Sequence, residues 1–167
     1  TEDVNAFAIP GGFIYISRGI LPYLANEAEL AAVLGHEIGH VTARHSARQQ
    51  SQGTLAGLAG IATAVLTGQP ALAELTNVAG AAIVRGYGRD MELEADRIGA
   101  QLLAKGGYDP QAIISVVSTL KDQERWEVDS ARLEGRQPRL YHGLFSTHPA
   151  ADTRLREAVT AARKVQA

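Results

Sequence analysis

A helix that brackets one carboxylate with two imidazoles has few folds open to it, and such a helix is predicted near the start of this chain. Asn26, with Glu29 three residues on, gives an N-cap and capping box. The alanine- and leucine-rich run that follows is expected to stay helical to about Gln50, and its centre is Gly-His-Glu-Ile-Gly-His, residues 35–40. At 100° and 1.5 Å per residue, His36 and His40 lie about 40° and about one turn apart, so both rings can reach one ion. With Leu30 set at 0°, Val33, Leu34, Ile38 and Val41 form an apolar arc from about 300° to about 80°. The two histidines fall on its border and Glu37 falls inside it. A carboxylate among apolar side chains costs several kcal/mol unless a charge compensates it, and a dication does so. The pattern therefore reads as His36 and His40 holding Zn²⁺, with Glu37 as the base that addresses water, the arrangement of HExxH hydrolases. Gly35 and Gly39 each cost about 1 kcal/mol of helix propensity. Close backbone packing, or room for substrate, is the expected reason for them.

A catalytic zinc site usually has three protein ligands and one exchangeable position. The chain has no cysteine, so the third ligand must be His, Asp or Glu. A third histidine in the pattern HExxHxxGxxH would stand at position 46, but Ser46 is there, and Thr42 replaces the glycine. His45 is rotated by about 180° from His36 on a continuous helix, so it is expected to face away from the ion as a solvated or packing histidine. A second helical pattern, Asp90 to Lys105, offers more. With Met91 at 0°, the apolar set Met91, Ala95, Ile98, Leu102 and Leu103 spans about 340° to about 120°, and Glu92 and Asp96 lie at about 100° and about 140°. Glu94 falls on the solvent side with Arg97, Gln101 and Lys105. Phase thus separates two nearby glutamates. Glu92 is the expected third ligand, Asp96 the acceptor for the outer N–H of a ligating histidine, and Glu94 a surface charge.

The rest of the chain is read as one domain, residues 1–167. That length suffices to bury roughly 70 % of the surface of the unfolded chain. Phe7, Ile9 and Phe13–Ile16 flank Pro10-Gly11-Gly12, which predicts a hairpin. The 53–85 region, broken at Gly68-Gln69-Pro70, reads as two short helices forming a buried hairpin; its apolar runs are well short of the roughly 20 residues of a spanning helix. Contact with a membrane surface stays open. Gly106-Gly107 should stop the second helix, and Pro110 should start another that reaches about Trp126. A polar, arginine-rich surface loop or frayed extension of that helix is expected over 127–140, and a last helix from near Pro149. Sixteen basic and 18 acidic residues, with no basic cluster among aromatics, exclude a nucleic-acid-binding footprint. The opening at Thr1 without methionine, almost directly into the hairpin, fits a trimmed or processed piece.

Four ordered segments carry a resemblance: NAFAIPGGFIYISRGIL, ELAAVLGHEIGHVTARH, ELEADRIGAQLLAKGGYDP and FSTHPAADTRLREA. They are similar to segments of the zinc endopeptidase family that includes the CAAX prenyl protease, the HtpX heat-shock protease and the periplasmic BepA, with the soluble bacterial envelope branch the nearer match. The resemblance implies a mainly α (α+β) fold, a helical zincin-like domain with a small β-hairpin at the active-site edge. It implies one Zn²⁺ per chain on His36, His40 and Glu92, with Glu37 as catalytic base and Asp96 as the aspartate of ExxxD. It also implies a place near the metal for His148, as a lid or fourth ligand, against the simpler reading of a residue that starts a helix beside Pro149. Arg154 matches a family arginine. The implied substrates are unfolded or misassembled polypeptides of the periplasm or envelope, held in extended form against the strand at 13–17. A zinc-binding chaperone or assembly module with little or no proteolysis is the alternative, and a metal-free helical adaptor a second one.

Overall fold

The computed structural model describes residues 4–68 and 88–137, together with Arg154, Glu157, Thr160, Arg163 and Lys164. Strands β1 (Ala6–Ile9) and β2 (Phe13–Ile16) pair antiparallel, with Ala6 opposite Ile16 and Ile9 opposite Phe13. Pro10 and Gly11 take the central positions of the turn, where Gly11 has φ of 102° and the Gly12 amide donates to the Ile9 carbonyl. Period-two alternation then sorts the side chains. Val4 and Ala6 enter the core, while Phe7 and Tyr15 stack on the outer face with ring centroids 5.3 Å apart. A 3-10 helix over Arg18–Tyr23 buries Ile20 and leads into α1 (Glu27–Thr42).

The N-terminus of α1 is fixed as its sequence predicts. Asn26 accepts from the Glu29 amide at 3.0 Å. Glu29 reaches back one residue further than a capping box requires, accepting from the Ala25 amide at 2.7 Å, and its other oxygen accepts from Ser115 at 2.5 Å. That buried carboxylate ties α1 to the fourth long helix. The C-terminus of α1 differs from the expectation. The helix stops at Thr42, Arg44 adopts a left-handed φ of 55°, and α2 (His45–Thr67) begins at once. Thr42 bonds back to the carbonyls of Ile38 and Gly39 in the last turn. No second break separates residues 50 and 53; α2 runs through both and ends just before Gly68, where the sequence places a break. The first half of the expected 53–85 hairpin is the end of α2 and is not buried, since Leu55, Leu58, Ile61, Val65 and Leu66 are exposed; the second half lies outside the described residues from 69 onward. No described helix is long and apolar enough to cross a membrane.

Helix α3 (Arg89–Lys105) ends with Gly107 at φ of 81°, the Tyr108 amide bonding to the Leu103 carbonyl, which is a Schellman stop. Helix α4 (Ala112–Leu133) runs seven residues beyond Trp126, so of the two expected readings 127–133 is the helical extension and not the loop. Ala131 is buried, and buried Glu127 pairs with Arg136 at 2.6 Å. The stop is again a left-handed glycine, Gly135, with the Arg136 amide on the Ala131 carbonyl. The remainder of the expected loop from 138, and the start of the last helix at Pro149, lie outside the described residues. Arg154, Glu157, Thr160, Arg163 and Lys164 are helical. The mainly α fold with one small hairpin is the expected one. Its core gathers Val4, Ala6 and Ile20 with Ala32 and Val33 of α1, Ala100 and Leu103 of α3, and the apolar face of α4 from Ile113 to Leu120.

The glycines of α1 are where it meets α3. A Cβ on Gly39 would stand 2.9 Å from both Cα and O of Ala95, and one on Gly35 would stand 3.3 Å from the Gly99 carbonyl oxygen. The two backbones touch at this crossing. Close packing, of the two expected reasons, is the one observed. It also moves the buried face of α1: Ala32, Gly35, His36, Gly39 and His40 point inward, while Ile38, expected in the apolar stripe, is exposed. The histidines are therefore near the centre of the contact face and not at its border.

Gly39→Ala sets two effects against each other. The helix gains about 1 kcal/mol of propensity, but a methyl against immovable backbone costs about 1–3 kcal/mol, so a net destabilisation is expected. Gly57→Ala in α2, where no described atom lies within 4 Å of the new Cβ, is expected to stabilise by about 0.5–1 kcal/mol. Urea unfolding of the metal-free proteins checks the pair; equal stability of the two variants would contradict the close crossing.

Candidate metal centre

Because α1 and α3 cross at glycines, side chains one turn apart on each can meet across the gap. His36 Nε2 and His40 Nε2 are 3.0 Å apart, Glu92 Oε2 is 3.5 Å from the first, and Glu92 Oε1 is 3.4 Å from the second. All three residues are buried. Ligand atoms at 2.0–2.1 Å from a tetrahedral zinc are about 3.3–3.4 Å from one another. The two Glu92 distances are to different oxygens; taking one ligand atom from each residue, all three lie within 4.8 Å of one another, close enough to converge on one ion. Glu37, on the same turn of α1, is 1 % exposed.

Helical phase on α3 sorts its acids as predicted. Glu92 and Asp96 are buried, whereas the Glu94 side chain is 42 % exposed. Asp96 Oδ1 lies 2.8 Å from His36 Nδ1, which donates to it, leaving Nε2 to face His40 and Glu92. The same carboxylate takes two bonds from Arg154, Nε to Oδ2 at 2.9 Å and Nη2 to Oδ1 at 2.8 Å, and Arg154 Nη1 reaches Glu92 Oε2 at 2.9 Å. Burial opposes a charge on His36, but its hydrogen bonds to Asp96 and Glu92 outweigh that and raise its pKa to about 9. A cation entering at neutral pH thus displaces a proton. Burial would push the Asp96 carboxyl up; bonds from His36 and Arg154 instead hold it down at about 2.

Two residues gain a place that sequence reasoning did not give them. Arg154, known only as a match to a family arginine, is buried against both acids of α3. His45 was expected to be a solvated or packing histidine turned away from the site; it is fully buried, with Nδ1 2.8 Å from His40 Nδ1 and Nε2 3.2 Å from Glu94 Oε2. The break at Arg44 is the reason, since it swings the first residue of α2 back over the last turn of α1. Glu94 is a surface charge as expected, yet it also accepts from Arg48 at 2.8 Å. His148 lies outside the described residues.

Two imidazoles and a carboxylate converging from two helices, with a glutamate after the first imidazole, define a metallopeptidase of the HExxH class. Residues 1–162 match peptidase family M48, and the chain belongs to that family. It is 36 % identical over 175 residues to the beta-barrel assembly-enhancing protease of Escherichia coli K12, covering 99 % of this chain and 34 % of that protein. The Yersinia pestis protein of the same name is 33 % identical over 174 residues, with the same two shares. The mitochondrial metalloendopeptidase OMA1 of Saccharomyces cerevisiae is 33 % identical over 160 residues, 93 % of this chain and 42 % of that protein. The chain therefore spans about a third of the length of the assembly-enhancing proteases it matches. Peptidases of this family depend on a metal, and the His36, His40 and Glu92 group is positioned to bind one.

Proposed function

We propose that residues 1–167 form a zinc-dependent endopeptidase domain that hydrolyses peptide bonds of unfolded or misassembled polypeptides. His36, His40 and Glu92 are its ligands and Glu37 its general base. The observation that carries this reading is the convergence of His36, His40 and Glu92, one ligand atom from each within 4.8 Å of the others, beside a buried Glu37. Nitrogen and oxygen donors without sulfur suit zinc. Bound there, the ion supplies a Lewis acid that polarises the scissile carbonyl and makes water more acidic. Glu37 takes the proton of the attacking water and delivers it to the leaving amine. Asp96, itself anchored by Arg154, keeps the His36 proton on Nδ1.

An extended substrate can add to the hairpin edge through main-chain hydrogen bonds, which read shape more than side chains. Exposed Phe13 and Tyr15 on β2 offer apolar contact there. The names of the two bacterial relatives support placing the protein in the bacterial envelope, acting on clients that have failed to assemble. Protein purified without added metal is expected to carry about one zinc per chain and to cleave unfolded casein. A chelator should stop cleavage and zinc should restore it. Absence of stoichiometric metal would favour a helical adaptor, and metal without cleavage would favour an assembly module.

A further inference from the structure

His36 has its outer nitrogen fixed by a carboxylate that an arginine holds in turn. At the outer nitrogen of His40 stands an imidazole. The His40 Nδ1 meets the Nδ1 of His45 at 2.8 Å, with the two rings edge to face and their centroids 4.8 Å apart. Beyond that ring, His45 Nε2 lies 3.2 Å from Glu94 Oε2, and the same oxygen lies 2.8 Å from Arg48 Nη1. The row therefore runs from a buried ligand through a fully buried second imidazole to a carboxylate at the surface.

Proton bookkeeping along this row has one solution once His40 binds a metal through Nε2. The His40 ring then carries its proton on Nδ1 and donates it, so His45 Nδ1 must accept. The His45 proton is left on Nε2, where the Glu94 carboxylate, an acceptor only, receives it. Arg48 completes the row as the cation opposite Glu94. The same order of partners, ligand, carboxylate and arginine, serves His36 through Asp96 and Arg154 with no imidazole between. The left-handed Arg44 is what makes the longer row possible, at about 1–2 kcal/mol of backbone strain.

We infer that His45 is a positioning residue for His40: with Glu94 as its anchor, it accepts the His40 Nδ1 proton and so presents the bare Nε2 and a fixed ring plane to the metal. The inference rests on the reading of His40 as a ligand. The partners that orient metal-binding histidines are typically worth about 10–100-fold in metal affinity.

The test compares zinc affinity, by competition with a chromophoric chelator at neutral pH, for wild type, His45→Phe, His45→Asn and Glu94→Ala. Melting of the metal-free proteins is recorded alongside. His45→Phe keeps a ring but no acceptor, and affinity should fall by about 10–100-fold. His45→Asn puts an amide oxygen where Nδ1 stood and should recover a good part of the loss, although it packs less well. Glu94→Ala should weaken binding by a smaller factor in the same direction. A residue that only fills space predicts the reverse order, with Phe near wild type and Asn worse; that order, or wild-type affinity in His45→Phe, overturns the inference. A second readout needs no variant: long-range nitrogen–proton correlation on the zinc-loaded wild type should find His45 protonated at Nε2 and bare at Nδ1. A proton on His45 Nδ1 overturns it. Wild type that binds no zinc would instead overturn the metal site itself, which separates the two failures.

Discussion

Glu37→Gln is expected to lower cleavage of an unfolded polypeptide by about 10²–10⁴-fold while leaving zinc content and stability near those of wild type. The side chain keeps its shape but can no longer take a proton, and none of the three ligand atoms changes. Stability argues the same way. Glu37 is 1 % exposed and Arg154 is close enough to interact with its charge, so the neutral isostere gives up an attraction along with a desolvation cost and is expected to stay near the parent in stability. Turnover of casein, elemental analysis and thermal melting decide the matter together. Unchanged cleavage would remove Glu37 from the chemistry. Lost cleavage together with lost zinc would show only that the site had collapsed. Full function in the cell for the Gln variant would favour the assembly module over the peptidase.

Periodicity carried the site a long way because the two helices that matter are regular where they meet. A spacing of four put His36 and His40 on one side, and a phase difference of two residues divided Glu92 from Glu94; both follow from 3.6 residues per turn alone. Gly35 and Gly39 were legible as a demand for space, and their neighbours Ala95 and Gly99 supply the answer. His45 was illegible for a physical reason. Its phase is meaningful only if the helix continues past Thr42, and the break comes from one arginine in a left-handed conformation, a residue type that gives no sign of it. Gly135 was the opposite case. Its stop signal is of the same kind as that of Gly107, but the polar composition of 127–134 fits a loop as well as a helical extension, and Glu, Arg, Ala and Leu, all good helix formers, decide for the extension. Arg154 lies far along the chain from its partners, and no local pattern could assign it to the buried acids of α3.

Asp96→Asn is the second large effect, and it should appear in both stability and metal binding. Breaking a buried ion pair costs about 3–5 kcal/mol because a charge is left without its counterion. Arg154 keeps Glu92 at 2.9 Å, so the lower end of that range is expected. An asparagine oxygen can still accept from His36 Nδ1, but its NH₂ then turns toward the guanidinium and can offer it nothing. Zinc affinity should fall by about 10–100-fold as the orientation of His36 loosens. Titration gives an independent check on the cause. Asp96 is held down at about 2 from an ordinary 3.8, so its contribution is complete above 3.8 and disappears as pH falls through 2. The stability gap between the metal-free wild type and Asp96→Asn should accordingly close between about pH 4 and about pH 2, and it should also narrow from about pH 6.5 to about pH 9 as His36, which Asp96 helps to hold protonated, loses its proton. A gap that stays open at pH 2 would mean the aspartate acts through packing and not through its charge on His36 and Arg154.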